Sequence, residues 1–315
     1  MVSILEVTNL TKRFGETTVL RGVALSAKRG TVLGVLGPNG AGKTTVINCL
    51  TTLLVPDGGE AKIAGYDVVK DPAAVRSLIG LTGQFAAVDE ALTARENLVL
   101  FGRLLRLKRK TAKRRADELL AQFDLVEAAN RPVKTFSGGM RRRLDLAASI
   151  VVSPLVLFLD EPTTGLDPRS RQQLWSVVKE LKAQGITIVL TTQYLEEADA
   201  LADRIAVIDR GQVIAEGTVD ELKDRVGGRF CELRVEEAKD LVPVKQALEE
   251  MGLDCAQSTS DKDIGKTLTV PALNGAKTLT EIVLKLENKG VALEDISLRR
   301  PSLDDVFFAL TGHTT

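Results

Sequence analysis

The sequence predicts an α/β fold built on a mostly parallel sheet and followed by a smaller α+β module, and three observations carry that reading. The runs "TVLGVLG", "LVLFLD" and "GITIVLTT" are short and almost wholly apolar, as strands buried on both faces are, and the last two are separated by the helical stretch "RSRQQLWSVVKELKAQ". The first run leads straight into a glycine-rich turn and a helix, "GPNGAGKTTVINCLTTLL". After Gly227-Gly228 the pattern changes to alternating strand and helix segments, "RFCELRVEE", "LVPVKQALEEMG", "KTLTVPAL", "AKTLTEIVLKLENKG" and "VALEDISLRR".

Taken in order, residues 4–37 read as short strands turning at Phe14-Gly15 and at Lys28-Arg29-Gly30. The helix that starts at the glycines is expected to stop at "VPDGG". Residues 93–150 are predominantly helical in pattern and include the basic stretch "RLLRLKRKTAKRRADELL", which reads as a solvated helix face, with attraction to anionic lipid headgroups as the alternative. "RIAVIDRGQVIAEG" reads as a hairpin turning at Arg210-Gly211. Two domains are expected, 1–228 and 229–315; a ferredoxin-like arrangement is one fit for the second, which carries no catalytic spacing. The closing "PSLDDVFFAL" resembles a helix start, with Pro301 and Ser302 followed by Asp305, and its Val306, Phe307 and Leu310 read as docking or core groups.

Composition excludes several function classes. With 42 Lys+Arg against 42 Asp+Glu, the charge balance makes no case for nucleic acid or for an acidic partner. The three cysteines, Cys49, Cys231 and Cys255, are too few and too scattered for a disulfide framework or a zinc site, so a reducing cytosolic setting is expected. The N-terminus "MVSILEVTNLTKRFG" meets charge too early for a signal peptide, and no apolar run reaches the roughly 18 residues of a membrane span, so the chain itself is expected to be soluble. The sole histidine, His313, lies in the tail and reads as a surface residue, which leaves no histidine for catalysis in the core.

The strongest chemical signal is the loop of Gly37, Pro38, Asn39, Gly40, Ala41, Gly42, Lys43, Thr44 and Thr45, which satisfies G-x-x-x-x-G-K-[ST] between a buried strand and a helix. Its glycines allow the backbone amides to converge on a polyphosphate at the helix N-terminus. Lys43 would reach the β- and γ-phosphates, and the Thr44 hydroxyl would ligate Mg²⁺. Downstream, "LVLFLDEPTTGLD" is a buried strand ending in Asp160 and Glu161. Strand alternation is expected to turn the two carboxylates apart, with Asp160 orienting Mg²⁺ and Glu161 near the γ-phosphate as general base or water-polarising group. A third segment, "FSGGMRRRLD", joins Ser137, Gly138 and Gly139 to a basic helix start, and by itself is an incomplete anion-binding corner.

The order and spacing of "GPNGAGKTT", "FSGGM" and "LFLDEPTTGLDP" resemble the ATP-binding subunit of ABC transporters over essentially the whole chain. The resemblance implies a P-loop NTPase core with an antiparallel β subdomain and a helical subdomain at about residues 84–150, plus the small C-terminal domain. It also explains the incomplete corner: Ser137-Gly138-Gly139 would cover the ATP held by the P-loop of a second copy, so that two chains enclose two ATPs. Carried over residue by residue, Phe14 in "TKRFG" would stack on adenine. Gln84 would contact Mg²⁺ and link the site to the membrane partner, the segment from Gln84 to Arg103 would touch the permease, and Asp167 would lie in the loop that crosses between subunits. "LTGQFAAVDEALT", "TFSGGMRRRLDLAASIV", "LTTQYLEEADALADRIAVIDRG" and "SLDDVFFALTGH" are similar to the daunorubicin/doxorubicin-resistance group of drug-export ATPases.

That group implies a separate integral-membrane permease as partner, a homodimer that hydrolyses ATP with Mg²⁺ head to tail, export of a lipophilic drug or related compound, and a peripheral place on the cytoplasmic side of the membrane. No nucleic-acid partner is expected. A soluble ABC-type ATPase acting on nucleic acid or the ribosome, and a slow nucleotide switch, stand as alternatives. Two residues depart from the wider family: Met140 replaces the usual signature glutamine, and Gln193 in "TTQYLEEAD" replaces a histidine. Glutamine keeps a donor and an acceptor but cannot titrate, so Gln193 is expected to position rather than to exchange protons.

Overall fold

The computed structural model describes residues 3–83, 87–226, 229–257, 266–272 and 274–300, together with Ser302, Leu303, Val306 and Phe307. The chain divides into two units, Met1–Val219 and Asp220–Thr315. The first opens with two long strands, β1 (Ser3–Phe14) and β2 (Thr17–Lys28), which fold back where Gly15 takes a positive φ and pairs Phe14 with Thr17. The buried strand β3 (Val32–Leu36) then leads into α1 (Lys43–Leu50).

This helix ends before "VPDGG", earlier than the sequence pattern implies, because Thr51 turns its hydroxyl onto the Ile47 carbonyl at 2.8 Å and Thr52 adopts a left-handed φ of 64°. The glycines of "VPDGG" instead open β4 (Gly58–Ile63), which is followed by β5 (Tyr66–Asp67), α2 (Pro72–Leu78) and β6 (Ile79–Thr82). Three helices come next: α3 (Ala94–Leu104), α4 (Arg109–Gln122) and α5 (Gly138–Ser149). Thr93 starts α3 through a reciprocal capping box with Glu96. Leu98, Leu119, Leu120, Phe123 and Leu144 of these helices and their turns share one core. In α4 the buried Ala112, Ala116, Leu119 and Leu120 leave Arg109, Lys110, Lys113 and Arg114 exposed.

The remainder of the unit alternates strand and helix: β7 (Val156–Asp160), α6 (Pro168–Ala183), β8 (Thr187–Thr192), α7 (Leu195–Leu201), β9 (Arg204–Asp209) and β10 (Gln212–Gly217), with α8 (Val219–Val226) at the division. One sheet is antiparallel, in the order β2-β1-β4-β5; the other runs β10-β9-β3-β8-β7-β6, parallel apart from β10. β7 and β8 are buried along their whole length, which is why their sequences are continuously apolar. The β9-β10 hairpin turns at Arg210 and Gly211, both with positive φ.

The second unit contains β11 (Phe230–Val235), α9 (Leu241–Glu250), β12 (Ala256–Gln257), β13 (Thr267–Pro271), α10 (Ala276–Asn288) and β14 (Leu293–Arg299). Its sheet order β12-β13-β11-β14, with every neighbour antiparallel, is a split β-α-β arrangement. Cys231, Leu233 and Val235 alternate inward against Val244, Leu248, Ile282 and Leu286 of the two helices. At the end of the chain Leu303 and Val306 are buried, whereas Pro301, Asp305, Leu310 and His313 lie outside the described residues.

Candidate nucleotide site

Three neighbouring parallel strands, β3, β8 and β7, end side by side, and the loop after β3 closes over their carboxyl edge. This is where open α/β sheets present a crevice. The loop from Gly37 to Gly42 delivers its backbone to the N-terminus of α1, with Gly42 as the N-cap at a φ of 104°. A side chain is excluded there twice over, by the left-handed backbone and by Leu20, whose Cδ2 would lie 2.9 Å from an added Cβ. At Gly37 a Cβ would collide with the carbonyl oxygen of Ile208. The backbone thus approaches its neighbours more closely than any side chain permits.

A cavity of about 310 Å³ opens at this edge, lined by Val19, Asn39, Gly40, Gly42, Lys43, Thr44, Thr45 and Glu161. Lys43 is buried, and its ammonium donates to the carbonyls of Gly37 at 2.8 Å and Pro38 at 3.1 Å. It also lies 3.2 Å from the carboxylate of Glu161. The Thr44 hydroxyl is 3.3 Å from Oδ1 of Asp160, and the same oxygen accepts from Thr191 Oγ1 at 2.5 Å. Asp160 and Glu161 therefore have different partners, but both address the loop. Strand alternation is not what separates them: β7 ends at Asp160, and Glu161 leaves it with a left-handed φ of 48°. Its amide is caught by the carbonyl and the hydroxyl of Thr191, each at 3.1 Å. A non-glycine residue in that region costs on the order of 1–3 kcal/mol and persists only where its surroundings enforce it.

Other residues singled out by the sequence lie outside this lining. Phe14 is 48% exposed beside the β1-β2 turn, with the Lys12 ammonium 5.7 Å from its ring centre, so its aromatic face is open rather than part of the core. Gln193 is half-buried immediately after β8. Ser137 caps α5, its hydroxyl accepting from the amide of Met140 at 3.3 Å, and is exposed together with Gly138. Gly139 is buried and packed so closely on Ser170 that an added Cβ would lie 2.5 Å from its Oγ. Ser170 donates its hydroxyl to Asp167 at 2.6 Å and its amide at 2.9 Å, which makes Asp167 the N-cap of α6 and holds its carboxyl below the usual range. The signature segment and Asp167 thus form one surface group through Ser170, apart from the cavity. Gln84 lies outside the described residues.

The sequence reading missed three groups. Thr191, on the strand between β3 and β7, ties both carboxylate residues to the sheet. Asp145 of α5 is buried and Arg142 beside it is largely enclosed; the guanidinium reaches the backbone of residues 160–162, and burial pushes the Asp145 carboxyl up. The available signal was an acid in the apolar run "LDLAAS", three residues after an arginine. Among the described residues no helix is long and apolar enough to cross a membrane.

Residues 20–164 match the family model for the ABC transporter. Over 306 residues the chain is 54% identical to the daunorubicin resistance ATP-binding protein DrrA2 of Streptomyces coeruleorubidus, covering 96% of this chain and 94% of that protein. It is 53% identical over 303 residues to the doxorubicin resistance ATP-binding protein DrrA of Mycobacterium tuberculosis strain H37Rv, covering 96% and 91%. Among solved structures, an ATP-binding subunit of an ABC transporter superposes with a TM-score of 0.64 at 30% identity, covering 70% of this chain and 92% of the other. A dimeric ATP-binding cassette in a post-hydrolysis state with ADP and Pi superposes with a TM-score of 0.62 at 28% identity, covering 68% and 98%.

Proposed function

The chain belongs to the ABC transporter family, within its group of daunorubicin and doxorubicin resistance ATP-binding proteins, and on that premise we propose how it works as the ATP-hydrolysing subunit of an exporter. Hydrolysis drives a lipophilic drug or related compound through a separate integral-membrane permease, to which the chain is bound on the cytoplasmic face. The observation that supports the site assignment is the meeting of Lys43, Thr44 and Glu161 at one cavity, with Asp160 3.3 Å from the Thr44 hydroxyl, from two distant stretches of sequence.

ATP is the substrate. Backbone N–H groups of the loop between Gly37 and Thr45 and the N-terminus of α1 receive its phosphates, with Pro38 lacking a donor and Gly37 and Ala41 donating to Thr192 and Pro38 instead, and Phe14 offers a stacking face to adenine. Thr44 and Asp160 supply hard oxygen donors 3.3 Å apart, and among the described residues no group of three or more acidic, histidine or cysteine side chains could hold a metal alone. This donor set suits Mg²⁺ that completes its shell with water and phosphate oxygens, with Gln84 as a further ligand. Bound there, Mg²⁺ neutralises charge developing on the phosphates.

Lys43, now paired with Glu161, meets denser negative charge on the β- and γ-phosphates and transfers to them. Glu161 is then free to take a proton from the water that attacks the γ-phosphorus, as the bond from that phosphorus to the bridging oxygen breaks and ADP leaves with that oxygen, while Gln193 orients the water. Ser137, Gly138 and Gly139 act on the nucleotide of a second copy, and Asp167 lies at the crossing between the two. The second unit is a small α+β accessory domain.

The test is Lys43→Ala. Ligand at a hundred times its Kd stabilises the folded state by about 2.7 kcal/mol, so the parent's melting temperature should rise with ATP and the variant should lose most of that rise. An unchanged ATP shift in a folded variant overturns the assignment.

A further inference from the structure

Arg142 and Asp145 have no part in the mechanism above, yet they occupy the most polar buried position on α5. Their side chains are 10% and 3% exposed. The guanidinium spends its donors on four backbone carbonyls: Nε on Pro162 at 2.8 Å, one terminal nitrogen on Gly83 at 2.5 Å, and the other on Asp160 at 3.1 Å and Glu161 at 3.3 Å. Asp145 faces it at 3.7 Å and takes the amide of Ala87 on its other oxygen at 2.8 Å. A buried ion pair of this kind is a poor means of docking a helix, since apolar side chains of similar volume do so at least as well. What the pair does grip is three consecutive residues, with the left-handed Glu161 at their centre. A planar fork of fixed donors is suited to hold such a corner, and a lysine is not.

We propose that Arg142, held in place by Asp145, is a positioning residue that enforces the Asp160–Pro162 corner and so aims Glu161 at the attacking water. Because Arg142 stands on the helix capped by Ser137, it also fastens the surface that meets the second copy to the backbone that carries this copy's own Asp160 and Glu161. The inference rests on the reading of Glu161 as the group that acts on water.

The full-length protein tests it through steady-state ATP hydrolysis, ATP-induced thermal shift and melting temperature. A parent that binds ATP but does not hydrolyse it refutes the functional reading, not the role of Arg142. With an active parent, Arg142→Lys keeps the charge but reaches fewer carbonyls, and should lower kcat by about tenfold with KM for ATP within about twofold. The double variant Arg142→Met with Asp145→Leu removes both charges and leaves neither unpaired; it gives up the hydrogen bonds to the corner, and should still fold and keep its ATP shift while kcat falls by about a hundredfold. Parent kcat in either folded variant overturns the proposal. So does a loss of kcat matched by an equal loss of ATP affinity, since that signals general disruption of the site. If the double variant does not fold, the lysine variant decides alone.

Discussion

Glu161 illustrates how much function rests on single backbone angles here. Its φ of 48° turns the carboxylate off the end of β7 and onto Lys43, where a continuing strand would have sent it elsewhere. Gln193, half-buried immediately after β8, has a chemistry that sets a test. An amide can donate to a phosphate oxygen and accept from water but has no pKa near neutrality. Gln193→Ala should lower turnover about tenfold, a rise of about 1.4 kcal/mol in the barrier, with ATP affinity nearly unchanged. Gln193→His should hydrolyse ATP and add a pH dependence near 6.5 that the parent lacks. Turnover at the parent rate in Gln193→Ala makes the side chain a bystander.

At the level of elements, α5 and α6 share one corner: Gly139 rests on Ser170, which in turn binds Asp167, so the first turns of both helices present Ser137, Gly138 and Asp167 together. This corner is exposed, capped and apart from the chain's own cavity, as a surface reserved for another copy's nucleotide would be. Ser137→Arg should therefore reduce hydrolysis at least a hundredfold while the ATP-induced thermal shift survives, because the change blocks only the site across the interface. Loss of both together points to a site within one chain. The helix start and its glycines were readable from sequence, since capping and close approach are encoded within a few residues. The premature end of α1 was not, because Thr51 and Thr52 are tolerated in a helix until their surroundings favour a turn.

For the whole molecule, the exposed corner at Ser137 lies outside the lining of the chain's own cavity, and the proposed pairing of two chains through it sets a test. Glu161→Gln keeps the shape of the corner but removes the carboxylate proposed as base, so with Mg-ATP it should accumulate a two-fold dimer, read by sedimentation against a parent that cycles apart. Confirmed ATP binding without any change of mass counts against the paired arrangement. Global stability carries a further, independent test in Glu197, buried on α7 with Trp175 Nε1 donating to it at 3.2 Å. Burial raises its carboxyl above the ordinary 4.5, outweighing nearby hydrogen bonds and Arg171. The folded protein then keeps a proton that the unfolded chain releases, so this group's stabilisation is complete below about pH 4.5 and is lost as pH climbs to the raised value. Glu197→Gln retains the acceptor for Trp175 and should melt progressively higher than the parent across that window, staying higher at neutral pH. A constant difference at all pH values contradicts the buried acid.

The sequence by itself determined the elements whose physics is local. The loop from Gly37 to Thr45 is a backbone conformation written in its own glycines, the parallel strands are continuous apolar runs, and the caps at Ser137 and Asp167 need only their next three residues. Tertiary structure decided everything that depends on two distant segments meeting. Strand order puts β8 between β3 and β7, and only that order brings Thr191 to Asp160, Lys43 to Glu161, and Arg142 to the carbonyls of Gly83 and Pro162. The reason is that a hydrogen bond or ion pair is specified by distance in space, and a single sequence records distance only along the chain.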